Sequence, residues 1–179
     1  RDAVSRLLQG ESIDFYLAMS LDGISVLNDL AGGVTVTLED DFSAADPAMT
    51  RGTTLTLHGD QAEIFVRRRM DVGEGTNEAR MVRQEEYLTQ LSAQLESRVQ
   101  QDQQFTAQVY DALQPYLVTD LAKGQLVNEV WAAKDDTVEP AIALEGEHKV
   151  AEDGFTEFYP TEASIQKAVL TLFWEPVED

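Results

Sequence analysis

Five arginines, Arg67, Arg68, Arg69, Arg80 and Arg83, crowd into one short stretch of a chain with only 13 basic residues against 33 acidic ones. All four lysines lie at Lys123 or beyond, so this local positive charge is carried by guanidinium groups alone. Guanidinium forks donate paired, planar hydrogen bonds and suit phosphate oxygens. A diphosphate presents oxygens on two phosphorus atoms and needs several forks from different directions. Arg80 and Arg83 stand three apart at the start of a long helical pattern and so share a face. They also lie where the helix macrodipole favours an anion. A cation there costs the helix about a few tenths of a kcal/mol. A sequence that accepts this has an anion to bind. Gln84 follows with an amide donor. The competing reading is that these arginines pair with some of the many carboxylates, and composition and spacing leave both readings open.

The elements that must carry these side chains can be read from periodicity. Residues 2–9 suggest the end of a helix, stopped at Gly10. Residues 15–19 suggest a short buried strand. Ser20 is placed to cap a helix through Leu30, with Leu21, Ile24, Leu27 and Leu30 every three residues and Gly32-Gly33 closing it. Residues 34–38 alternate as a strand should, and this strand–helix–strand run points to a sheet with helices packed on it. Residues 39–52 form an acidic loop, followed by a brief strand around Leu55 and Leu57. Asp60 to Val66 fits a helix, while 63–69 fits a strand nearly as well. A loop over residues 71–77 leads into a long helix from Glu78. The glutamine run at 100–104 interrupts it before a second apolar stripe of Phe105, Val109 and Leu113. Thr119-Asp120 is placed to cap a short helix, and residues 138–159 suggest a hairpin or meander. Thr161 with Ser164 starts a last helix that buries Ile165, Val169, Leu172 and Phe173. With no internal repeat and no linker, residues 1–179 are expected to form one α/β domain.

Composition narrows the classes of function. A formal charge of −20 disfavours general binding to a phosphate backbone, so nucleic acid is not an expected partner. The absence of cysteine removes disulfides, thiolate metal sites and cysteine nucleophiles. No stretch approaches the roughly 18 consecutive apolar residues of a membrane helix. There is no serine elbow, phosphate-binding glycine loop, zinc motif or helix-turn-helix signal.

In order and spacing, several segments resemble the LytR–CpsA–Psr family of bacterial cell-envelope proteins. They are Asp2-Ala3-Val4, Leu7-Leu8, Asp14-Phe15-Tyr16 and Leu30-Ala31-Gly32-Gly33-Val34. Next come Leu57-His58-Gly59-Asp60-Gln61-Ala62, Phe65-Val66-Arg67-Arg68-Arg69 and Arg80-Met81-Val82-Arg83-Gln84. The resemblance runs from about Asp2 to Gln84 and more weakly beyond. It implies a three-layer α/β/α architecture with a central mixed sheet flanked by helices, outside the cytoplasmic membrane and held there by an N-terminal anchor. It implies transfer of a glycopolymer, such as teichoic acid or capsule, from a polyprenyl-pyrophosphate carrier to a peptidoglycan acceptor. Arg67 and Arg69 match the "R-R" positions, and Arg80, Arg83 and Gln84 match "R…RQ". Together they would hold the pyrophosphate, with Arg68 and Gln61 in support. Mg²⁺ is expected from the resemblance. Its ligands would lie outside this chain, which lacks the "R-DT" and "S-PRD" segments of the family's opening third.

Two departures bear on catalysis. The acidic residue expected three positions before Arg80 is Asn77, which cannot act as a general base, leaving the adjacent Glu78 as a weak candidate. The family's "QAL-Y" is here Gln61-Ala62-Glu63-Ile64-Phe65, which puts a carboxylate near the arginines. Two functions therefore stand side by side: a glycopolymer phosphotransferase domain, or a catalytically incomplete module that binds pyrophosphate lipid or polyanion. Elsewhere, Glu39-Asp40-Asp41 and Asp46 read as a solvated acidic turn rather than a cation loop, and His58 and His148 as surface or packing residues. Trp131, Phe155, Phe158, Tyr159, Phe173 and Trp174 read mostly as core, with a lipid or sugar cavity as the alternative.

Overall fold

The computed structural model describes residues 1–136 and 142–174. The backbone falls into two compact units, Leu17–Thr137 and a second made of Arg1–Tyr16 with Val138–Asp179. The part of the anticipated hairpin region at 138–141 lies outside the described residues.

In the first unit, β1 (Leu17–Met19) leads to α2 (Asp22–Ala31), β2 (Thr35–Thr37) and β3 (Thr54–Thr56), with α1 (Asp2–Leu7) belonging to the other unit. Then follow α3 (Asp60–Arg67), α4 (Asn77–Gln101), α5 (Phe105–Leu113), a 3₁₀ turn at Gln114–Tyr116, β4 (Leu117–Thr119) and α6 (Lys123–Ala132). The α/β expectation holds. The strands, however, pair as separate two-stranded antiparallel ladders, β1 with β4 and β2 with β3, and not as one mixed sheet. Each of these strands is three residues long, and no strand is shared between ladders. Ladders this short are stable only when helices cover one face. The β2–β3 pair shows how: Val36 is buried beneath, while Thr35–Thr56 and Thr37–Thr54 join hydroxyls on the exposed side at 2.9 and 2.8 Å.

The helix-or-strand ambiguity before Arg67 resolves as helix. Ala62, Phe65 and Val66 all bury, a spacing that only a helix places on one side. They join Val34, Leu38, Phe42, Met49, Leu57, Val72, Tyr87 and Leu91 in one apolar core. Burying a side chain of the size of Phe65 contributes about 2–3 kcal/mol.

At the centre of that core lies a polar residue that periodicity does not reveal. Asn28 is fully buried. Its Nδ2 donates to the Leu57 carbonyl (2.7 Å), and its Oδ1 accepts from the Val34 amide (3.1 Å) and the Tyr87 hydroxyl (3.3 Å). A buried amide satisfied in this way is stabilising, whereas one left unpaired costs about 1–3 kcal/mol. The turn beside it needs Gly33, whose φ is +84° and whose absent Cβ would meet the Leu57 carbonyl at 2.8 Å. Burial, with the charge of Asp29, pushes the Tyr87 phenol up to about 12.

Helix starts depart by a residue or two from the sequence reading. Leu21, not Ser20, precedes α2, and Ser20 contributes only its carbonyl, which accepts from the Gly23 amide at 3.0 Å. α4 begins at Asn77 because the Thr76 hydroxyl accepts from the Ala79 amide at 3.1 Å. α6 starts three residues beyond Asp120.

In the second unit, β5 (Gly146–Val150) and β6 (Thr156–Pro160) form a hairpin, followed by α7 (Glu162–Phe173). Thr161 caps α7 as expected, accepting from the Ser164 amide at 3.2 Å. The aromatic residues of this unit correct the core expectation. Phe155, Phe158, Tyr159, Phe173 and Trp174 are all substantially exposed, as is Leu172, while α7 buries Val169 as expected, together with Ala168. The hairpin strands are exposed along nearly their whole length, so alternation there gives no inward face. Trp174 Nε1 donates to Glu11 Oε1 at 3.2 Å. Among the described residues, no helix is long and apolar enough to cross a membrane.

Candidate functional site

The arginine segment spans the end of α3, the loop over residues 68–76 and the first turns of α4. Arg67, Arg68, Arg69 and Arg80 line one open cavity of about 810 Å³, with Met70 and Ile64 as apolar wall. Asp60, Glu63 and Asp71 also line it. Four guanidinium groups against three carboxylates leave a local excess of one positive charge, in a chain whose overall charge is −20.

The arginines are held differently. Arg67 is exposed and paired with Glu63 at 2.6 Å, one helical turn back. Arg69 Nη1 donates to Asn77 Oδ1 at 2.9 Å, and Arg80 Nη2 reaches the same oxygen at 3.3 Å. Arg80 Nε is buried with no hydrogen-bond partner. Asp71 sits in the left-handed region at φ +62°, where aspartate is better tolerated than most residues.

Arg83 does not line the cavity. It is 8% exposed, and all three of its nitrogens donate: Nε to the Phe65 carbonyl (3.3 Å), Nη2 to the Arg68 carbonyl (2.5 Å) and Nη1 to Asp40 (3.1 Å). Its guanidinium also stands over the Phe42 ring, 5.3 Å from the centroid. Burial draws its pKa down, and the attraction of Asp40 opposes this. Three residues along a helix turn the side chain by about 60°. That is enough to send Arg80 toward the cavity and Arg83 into the seam with α3. Gln84 lies beside it, donating from Nε2 to the Val66 carbonyl at 2.8 Å. Arg83 and Gln84 thus hold three carbonyls in and just after the last turn of α3.

Gln61 also takes a structural position. It accepts from the His58 amide (3.2 Å) and donates to Asp46 (2.7 Å), tying the acidic loop to the start of α3. That hydrogen bond, with one from the Ala48 amide, lowers the Asp46 pKa. Glu78 is exposed in the first turn of α4 and does not line the cavity.

Asp40 is the partner that sequence reading missed, since it is one carboxylate in an acidic run. The available signal was Gly73. It has φ +50°, and a Cβ there would collide with the Asp40 carboxylate, so the loop closes over the Arg83–Asp40 pair only with glycine at that position. The bridging role of Asn77 was likewise invisible, because it depends on the loop bringing Arg69 back to the start of α4.

The donor set also bears on the expected metal. Mg²⁺ takes oxygen ligands, usually one or two carboxylates completed by substrate phosphates and water. Among the described residues there is no group of three carboxylate or imidazole side chains placed to hold a metal ion. In the cavity, Glu63 is already paired with Arg67, and the guanidinium groups would oppose a cation. Among the described residues, no side-chain cluster thus marks a complete magnesium centre by itself.

Solved structures share this fold. Protein gbs0355 from Streptococcus agalactiae superposes with a TM-score of 0.74 at 21% identity, over 94% of this chain and 59% of that one. TagU from B. subtilis gives 0.61 at 17% identity, over 96% and 68%. TagT bound to LI-WTA gives 0.70 at 18% identity, over 96% and 63%. The chain thus spans roughly three fifths to two thirds of the length of these structures. No curated protein matches it. The family model named LytR_cpsA_psr matches residues 2–172, nearly the whole of the chain, and the protein belongs to the LytR_cpsA_psr family.

Proposed function

We propose that this chain is the pyrophosphate-holding part of a cell-envelope domain that binds polyprenyl-pyrophosphate-linked glycopolymer for attachment to peptidoglycan, outside the cytoplasmic membrane. The observation that carries the reading is the convergence of Arg67, Arg68, Arg69 and Arg80 on one cavity. Family membership supports it, as does the fold shared with TagT, which has been seen with a wall teichoic acid intermediate. Arg69 and Arg80 approach from different elements, the loop and α4, as a two-phosphorus ligand requires. Breaking a phosphoanhydride builds charge on the departing phosphate, and guanidinium donors already in place stabilise that charge without reorganising. Met70 and Ile64 give the cavity an apolar border suited to the first carbons of a lipid tail.

A second reading, a module that binds without turnover, is favoured by Asn77. At the arginine pair it presents an amide oxygen, which cannot take a proton from an incoming hydroxyl. Titration calorimetry with polyprenyl pyrophosphate, with and without Mg²⁺, tests the shared core of both readings. Arg69→Ala and Arg80→Ala are each expected to weaken binding at least tenfold. Unchanged affinity in both variants sinks the site. Transfer of the glycopolymer with one phosphate from polyprenyl pyrophosphate to a hydroxyl of peptidoglycan fragments, with polyprenyl monophosphate as the leaving group, then separates turnover from binding.

A further inference from the structure

We propose that Asn77 sets the charge of this cavity: its amide oxygen is a neutral placeholder that orders two guanidinium groups while leaving both positive charges available to an anion. The proposal rests on the pyrophosphate reading and adds to it a residue that determines how strongly the site attracts its ligand.

Three observations carry it. First, Arg69 and Arg80 come from separate elements, yet both donate to the single atom Asn77 Oδ1, at 2.9 and 3.3 Å. Two like charges drawn together on one acceptor repel each other unless that acceptor is negative, and here it is not. Second, Arg80 is left short of acceptors. Its Nη2 contact to Asn77 is long, and its Nε is buried with none at all. Buried donors are nearly always paired, so Arg80 is short of acceptors within the protein. Third, the pattern is local. The other two arginines tied to side chains in this segment have carboxylate partners, Glu63 for Arg67 and Asp40 for Arg83. Only the pair at Asn77 is held by a neutral group.

An anion entering between Arg69 and Arg80 supplies the charge that Asn77 lacks and takes over the acceptor role. Asn77 sits at the first position of α4, exposed, so the ordered arrangement exists before the ligand arrives and little has to move. Aspartate at the same position would have nearly the same shape but would neutralise the pair. For a full negative charge about 5 Å from one unit of anion charge, Coulomb's law gives about a fourfold loss of affinity in bulk water and more than a hundredfold at an effective dielectric of about 20, so a loss of about tenfold lies between these limits.

Asn77→Asp has two expected consequences of opposite sign. Without ligand, at low ionic strength, its melting temperature rises by about 1–3 °C as the two guanidinium groups gain a partner. Most of that rise vanishes when Arg69→Ala and Arg80→Ala are added, which separates ion pairing from the general preference for aspartate at a helix start. With inorganic pyrophosphate in EDTA, calorimetry shows binding weakened about tenfold, whereas Asn77→Ala, which loses the ordering but keeps the charge, weakens it by no more than about threefold. If Asn77→Asp binds pyrophosphate as the wild type does while the arginine variants lose it, the cavity reading stands and the role of Asn77 falls. If the wild type does not bind pyrophosphate, the cavity reading falls, and the affinity half of this proposal falls with it. If the melting rise is absent, or persists without the arginines, Asn77 does not set the local charge.

Discussion

Arginines only a few residues apart in this segment do opposite work. On the inner side, Arg83 and Gln84 give their donors to the carbonyls of Phe65, Arg68 and Val66, and Arg83 also to Asp40. On the outer side, Arg69 and Arg80 share one neutral oxygen, and Arg80 keeps a buried donor unused. Every inner donor nitrogen has a protein acceptor, whereas Arg80 Nε on the outer side has none. Stability should therefore live with the first set and ligand affinity with the second, although both are written with the same residue type.

The largest effect expected from this contrast is on the inner side. Arg83→Ala strands the Asp40 carboxylate and the carbonyls of Phe65 and Arg68, and should lower the unfolding free energy by ~2–4 kcal/mol in urea titrations. A loss below 1 kcal/mol would show that the seam tolerates the vacancy and that the inner set is not the strut described. Next comes pH. The Tyr87 phenol titrates higher folded (about 12) than unfolded (about 10), so its neutral form is favoured by the fold. Its contribution is intact below pH 10 and declines as pH rises toward 12, on the order of 3 kcal/mol at most. Tyr87→Phe should flatten that limb of the stability curve, and an unchanged alkaline limb would assign it to other groups.

On the outer side, Arg69→Ala and Arg80→Ala should each shift stability by less than ~0.5 kcal/mol while costing at least tenfold in pyrophosphate affinity. A stability loss as large as that of Arg83→Ala would erase the distinction between the two sides. The smallest effect belongs to Glu63→Gln. It removes an exposed one-turn ion pair worth ~0.3–0.5 kcal/mol and frees Arg67, so binding should tighten about twofold.

How much of this could be read from the chain depends on which interactions are local. The helix α2, the break between α4 and α5 and the Thr161 cap of α7 come from spacing within a few residues, and all were legible. The clustering of arginines was legible too, and four of the five line one cavity. What was not legible was the division of labour between Arg80 and Arg83, because it turns on a 60° difference in direction and on Asp40, more than 40 residues away. The pairing of β1 with β4 escaped for the same reason, since about 100 residues separate strands only three residues long. The aromatic residues near the C-terminus looked like core because their type favours it. Type alone does not say whether an element has anything to cover it.

The buried amide of Asn28 has a consequence for how the molecule comes together. Its side chain joins Val34, Leu57 and Tyr87, which lie 6, 29 and 59 residues further along the chain. All three segments are needed to give it its full set of partners. A partly assembled chain with α2, β2 and β3 in place but α4 absent carries an amide whose oxygen still lacks one of its donors in an apolar interior. Such a species is penalised where a purely hydrophobic junction would tolerate it. The junction therefore acts as a checkpoint on assembly. It couples the docking of α4, the helix that brings Arg80 to the cavity, to the closure of the core.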